Sequence, residues 1–174
     1  NSIDGRTLPD ERAYAAARAM LLDFFKYGDK VNAAVDTIPK FNKGRVVVAC
    51  LVDDSEDLEL FLNSIKSAGK AGISKNKFAV FTTSQSVMND MKNTKIKVVY
   101  IPELTNVGTI GDANVGPKLR RYFLQAWVAF ACANNLNKVM WQTPGTYWIE
   151  RPDNIVNAYP AVESLWAYKG RNDK

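Results

Sequence analysis

Histidine is absent from all 174 residues. That removes the commonest general base, the commonest metal ligand and every His-based triad from the chain's own chemistry. Cysteine is scarce: Cys50 closes an apolar strand and Cys132 sits in an apolar helix, so both read as small core residues. Two such cysteines neither demand nor exclude an oxidising compartment. No apolar run approaches the ~20 residues of a membrane span, so no spanning segment is expected. There is no GxxxxGK[ST] loop and no GxGxxG after a strand, which excludes P-loop, kinase-like and dehydrogenase readings. No N-x-[ST] sequon argues for a secretory lumen, and the localisation stays unknown.

What is present is an ordinary globular composition, 47% hydrophobic and 24% charged, enough for one well-filled core and one domain. The net charge is +5 and the pI is near 9.2. Lys and Arg are scattered rather than gathered in a stripe interleaved with exposed aromatics, so a soluble basic surface is expected and nucleic acid is not. The chain begins at Asn1 and not at Met, which leads us to expect that earlier residues have been removed.

Residues 1–7 are polar and expected to be loose. Thr7, Pro9 and Asp10 form a helix-start pattern, followed by apolar residues at helical spacing from Ala13 to Phe25 and a stop at Tyr27-Gly28. A second short helix is expected from Lys30 to Thr37, closed by Pro39. Residues 1–43 thus form a helical segment packed on a body spanning 44–174. That body opens with Val46-Val47-Val48-Ala49-Cys50-Leu51-Val52, the continuous β-branched run of a central parallel strand.

Strand and helix then alternate. Leu58, Phe61, Leu62 and Ile65 give a helix face; 78–83 is a second strand; a short helix runs to Met91; and 96–101 is a third strand, stopped by Pro102. A glycine-bearing loop from Thr105 to Gly116 is long enough to be functional. The helix from Pro117 carries an apolar stripe through Leu119, Phe123, Trp127 and Ala131, and Val139-Met140-Trp141 is the fourth strand. This rhythm predicts an α/β sandwich with a mostly parallel sheet and right-handed crossovers.

Ligands in such folds gather at the carboxyl ends of strands, which directs attention to four places. Asp53-Asp54 follows the first strand and reads either as a nucleotide or metal contact or as a cap for the next helix. Thr82-Thr83-Ser84 lies at the end of the second and fits either a base or ribose contact or a turn. Lys118, with Arg120 and Arg121, could meet a diphosphate or simply line a solvated helix face. Trp141, Tyr147 and Trp148 could form a stacking wall for a sugar or belong to the core.

The segment 139–152, Val-Met-Trp-Gln-Thr-Pro-Gly-Thr-Tyr-Trp-Ile-Glu-Arg-Pro, resembles the signature of the nucleotide-diphospho-sugar transferase family, glycosyltransferases of the GT-A fold. In that family an apolar strand leads into Asp-x-Asp, then an apolar stretch with Trp, a charged pair and Pro. Aligned on Trp148 and Pro152, the two aspartates fall on Thr143 and Gly145. The first strand, the Leu60-Phe61-Leu62-Asn63-Ser64-Ile65 segment and the helix from Lys118 are similar too, so the resemblance covers about residues 45–152.

The resemblance implies a GT-A-like, Rossmann-like sandwich that lacks much of the acceptor half. It implies a site that binds a nucleoside diphosphate sugar through Asp53, Asp54, Thr83, Ser84, Lys118, Gln142, Thr143 and Gly145, with transfer of the sugar to a hydroxyl acceptor. The family's Asp-x-Asp holds a divalent cation on hard anionic oxygens. Thr143 and Gly145 supply none, so no metal ligand and no cofactor are expected. The alternative is a catalytically inactive structural or interaction subunit of a larger assembly, with protein partners in place of a sugar nucleotide. A third reading, an unrelated α/β binding protein, requires the match to be coincidence.

Overall fold

The computed structural model describes residues 2–3, 6–7, 11–38, 46–106, 124–125, 127–129, 131–132 and 138–158. Six strands lie among them. β1 (Ser2–Ile3) and β2 (Arg6–Thr7) pair antiparallel. β3 (Val47–Leu51), β4 (Phe78–Thr82), β5 (Lys97–Tyr100) and β6 (Val139–Trp141) form one parallel sheet in the order β5-β4-β3-β6. The class is α/β with an all-parallel four-stranded sheet among the described residues, as the strand–helix rhythm predicts.

Every residue of β3 and β4 is buried, because both sheet faces are covered and successive side chains alternate between them. Val47, Ala49, Leu51, Ala79, Phe81 and Val99 face a first core, filled by Val31 and Val35 from helix α1 (Glu11–Asp36) and by Leu124, Trp127, Val128, Ala131 and Cys132. Val48, Cys50, Val52, Phe78 and Val80 face a second core, filled by Leu58, Phe61, Ile65 and Ala68 from α2 (Ser55–Lys70) and by Val87 and Met91 from α3 (Gln85–Met91).

The two faces follow from handedness. The chain steps outward from β3 to β4 to β5 with α2 and α3 on one face. It then returns past β3 to β6, and a right-handed connection in that reversed direction places the helical residues 124–125, 127–129 and 131–132 on the other face.

Local chemistry sets the helix ends. Asp54 caps α2, its Oδ1 accepting from Asp57 N at 2.7 Å. At the other end Gly72, with φ +73°, lets Gly72 N reach Gly69 O and Ile73 N reach Ala68 O, the paired closing bonds of a Schellman turn. Ser84 caps α3 through Val87 N at 3.4 Å. At the amino edge of the sheet, Asp153 of the closing helix Pro152–Asn157 accepts from Val46 N at 3.3 Å and pairs with Lys77.

Three expectations change. The segment expected to be loose forms the β1–β2 pair, with Thr7 opposite Ser2 rather than at a helix start. The two helices expected on either side of Gly28 are one helix, α1. Tyr27, Val31, Ala34 and Val35 dock as one stripe on the first core, and that outweighs the roughly 1 kcal/mol cost of glycine inside a helix. The third strand is shorter than expected, with Ile96 and Ile101 flanking it. No described helix is long and apolar enough to cross a membrane.

Candidate functional site

Strand order reverses between β3 and β6. Helix α2, which follows β3, lies on the second-core face, and the described helical residues before β6 lie on the first, so the carboxyl ends of these two neighbours are where a ligand crevice is expected. The β3 exit carries Val52, Asp53 and Asp54; the β6 exit carries Gln142 to Trp148. Backbone bonds hold the exits in register, Gln142 N donating to Ala49 O at 2.9 Å and Val52 N to Phe81 O at 2.9 Å.

On the β3 side the acidic pair divides its work. Asp53 is half-buried, and its Oδ1 accepts from both Thr83 N at 2.7 Å and Thr83 Oγ1 at 3.1 Å. It thus ties the β3 exit to the β4 exit and brings two of the expected site residues together. Asp54 is exposed and committed to its cap. Ser84 caps α3, and its own N–H donates to Thr82 Oγ1 at 3.0 Å. Asp53, Asp54, Glu56 and Asp57 put four carboxylates in five positions, so this exit is strongly acidic.

The β6 side is neutral and internally satisfied. Gln142 is 4% exposed; its amide donates from Nε2 to Ser64 Oγ at 3.2 Å and accepts at Oε1 from Trp148 Nε1 at 2.8 Å. Trp148 N donates to Ser67 Oγ at 2.9 Å, and Ser67 Oγ donates to Ser64 O at 2.7 Å. Trp148 stands edge-on to Phe78 (centroids 6.2 Å, 81°), which stands edge-on to Phe61 (6.3 Å, 76°). A polar amide buried without partners is costly, so this closed network keeps Gln142 in the second core and anchors the loop beneath α2.

Between those anchors lies a turn. Thr146 N and Oγ1 both donate to Thr143 O, at 3.2 and 2.9 Å, with Pro144 buried and Gly145 exposed at the central positions. Gly145 does not have positive φ, and a Cβ there would meet only Leu60 Cδ2, at 3.9 Å. The turn therefore tolerates a side chain at 145.

The divalent cation implied by the family resemblance does not fit the residues at these positions. Thr143 offers one hydroxyl, 3.4 Å from Thr146 Oγ1, and Gly145 offers no side chain. Asp53 is engaged with Thr83, and among the described residues no three His, Cys, Asp or Glu side chains converge as a metal site. Hard cations need anionic oxygens that this turn does not carry.

The three aromatics do not form a common wall. Trp148 is core; Trp141 lies half-buried against the first core, tilted 30° to Phe81; Tyr147 is 70% exposed. The indole N–H of Trp141 is buried and finds no partner among the described residues. Burial pushes the Cys132 thiol up to about 12, which favours the neutral thiol. Lys118 and the loop from 107 to 116 lie outside the described residues.

Two features were missed in the sequence. Ser64 and Ser67 lie on the buried face of α2, and polar residues at those positions signal a polar partner from elsewhere. A small, mostly apolar cleft at the carboxyl ends of β3, β4 and β5 is lined by Leu51, Phe81, Thr82, Thr83, Ile101, Leu104, Leu124 and Val128. Its signal was an apolar residue at or beside the end of each strand, Leu51, Phe81 and Ile101. Comparison with protein-family models, curated proteins and solved structures gives no match.

Proposed function

We propose that the chain is a nucleotide-diphospho-sugar transferase-type domain of the GT-A kind. Its β3–β6 crevice takes a nucleoside diphosphate sugar, and the sugar passes to a hydroxyl acceptor. The observation that carries this reading is the reversal of strand order between β3 and β6, with the signature-like segment 139–152 emerging at that point. A ligand crevice is expected there on general grounds, and the resemblance, independent of topology, falls on the same place.

Charge orients the ligand. A diphosphate is repelled by the four carboxylates at 53–57, so it lies on the neutral β6 side over 142–146. The hydroxyl and amide donors of the nucleoside suit the acidic β3–β4 side, where Asp53 and Thr83 meet. This arrangement asks for no cation at 143 and 145.

A second reading is a non-catalytic interaction subunit on the same fold. It is favoured by one observation: Asp53, Asp54, Ser84 and Gln142 are each engaged in holding the fold. Calorimetric titration with UDP- and GDP-sugars, with Mn²⁺ and with chelator, separates the two. The first reading expects saturable binding of at least one sugar nucleotide with similar affinity in both conditions. Absence of binding in both leaves the interaction subunit.

A further inference from the structure

Helix α1 is apolar on two opposite sides. Tyr27, Val31 and Val35 face the sheet, and Leu22 and Phe25 lie across the helix from them, 56% and 75% exposed. Arg18 and Asp29, both exposed, continue this outer stripe. The spacing 18, 22, 25, 29 alternates four and three, which keeps the four residues on one line along a helix.

The stripe reads the same from either end once charge is inverted: basic, apolar, apolar, acidic. A two-fold axis midway between Leu22 and Phe25 sets Leu22 against Phe25 of a second copy and Arg18 against its Asp29, twice over. Such self-complementarity is what an isologous interface requires, and a partner of unrelated sequence gives no reason for it. We propose that the outer face of α1 is the surface through which two copies of this chain pair, helices antiparallel.

The stripe from Arg18 to Asp29 spans about three turns, and contact is confined to that length. A contact of that size is small for a protein interface, so the dimer is weak and its population rises with concentration. The pairing is independent of what the β3–β6 crevice binds and stands or falls separately from it.

Sedimentation equilibrium on the full chain over a concentration series tests this. The wild type shifts from monomer toward dimer, and a chain that stays monomeric up to about 1 mM overturns the proposal. Arg18→Asp sets acid against acid at both ends of the stripe and raises the dimer dissociation constant at least about tenfold. Asp29→Arg alone does the same, and the double variant Arg18→Asp/Asp29→Arg restores pairing. Both positions are exposed, and circular dichroism checks that each of the three variants keeps the fold. A dimer indifferent to the single swaps, or not restored by the double, places the interface elsewhere and overturns the assignment to α1.

Discussion

The two strands bordering the crevice end in chemically opposite ways. β3 runs out into carboxylates, one tied to the neighbouring strand and one to a helix start. β6 runs out into a neutral turn, held down by a buried amide, an indole and two serines. Both exits are rigid, but by different means: charge-assisted bonds at a half-wet edge, against neutral bonds inside an apolar core. In the family this segment resembles, the acidity belongs on the β6 side. Here the turn at that position carries no charge.

The sharpest way to break the contrast is to add charge to the β6 side. Thr143 is exposed and Gly145 has room for a side chain, so Thr143→Asp/Gly145→Asp is expected to fold and to show saturable Mn²⁺ binding, with none expected for the wild type. Titration calorimetry with the metal alone reads this directly. A folded double variant that binds no cation shows that the turn is not shaped as the resemblance implies.

Stability changes should rank by how dry each anchor is. Trp148→Ala empties a packed site in the second core and should cost about 3–5 kcal/mol by urea denaturation. Trp141→Phe removes an indole N–H that has no partner among the described residues and should cost less than about 1 kcal/mol. Equal losses would deny that the β6 loop is anchored mainly through Trp148.

Next come the polar anchors. Gln142→Leu leaves Trp148 Nε1 without its buried acceptor and should cost about 1–3 kcal/mol. Asp53→Ala frees Thr83 N and Oγ1 at a half-exposed site where water can replace the carboxylate, so its loss should fall at or below about 1 kcal/mol. A larger loss for Asp53 than for Gln142 would reverse the account of which exit is the more deeply fixed.

The smallest effects lie away from the crevice. Asp54→Ala removes a helix cap and should cost about 1 kcal/mol. Gly28→Ala should stabilise by about 0.5–1 kcal/mol, since a Cβ there meets nothing within 4 Å and the residue is inside α1. Thermal unfolding of both variants gives the signs.

Much of the fold was legible because it rests on burial with a period. The all-apolar run of β3 announces a strand covered on both faces, and Leu58, Phe61 and Ile65 announce α2. The strand order was not legible: four apolar runs fix that strands exist, and which neighbour each takes is decided by long-range pairing. Gly28 misled because its propensity is a local cost of ~1 kcal/mol and α1 is held by tertiary contacts.

At the site the same divide appears. The carboxylates at 53 and 54 announce a polar exit, and the caps at Asp54 and Ser84 follow from local rules. That Asp53 would meet Thr83, thirty residues on, and that Gln142 would be buried against Ser64, seventy-eight residues back, depends on the register of β3 with β4 and β6. Sequence read residue by residue carries no such register.

The most direct test of the central claim is amide chemical-shift mapping of the labelled protein during titration with UDP- and GDP-sugars, without divalent cation. The account predicts saturable shifts at Asp53, Thr83 and residues 142–146, with Lys77 and Asp153 at the opposite edge of the sheet unmoved. Shifts confined to that opposite edge, or none with either nucleotide, would contradict it.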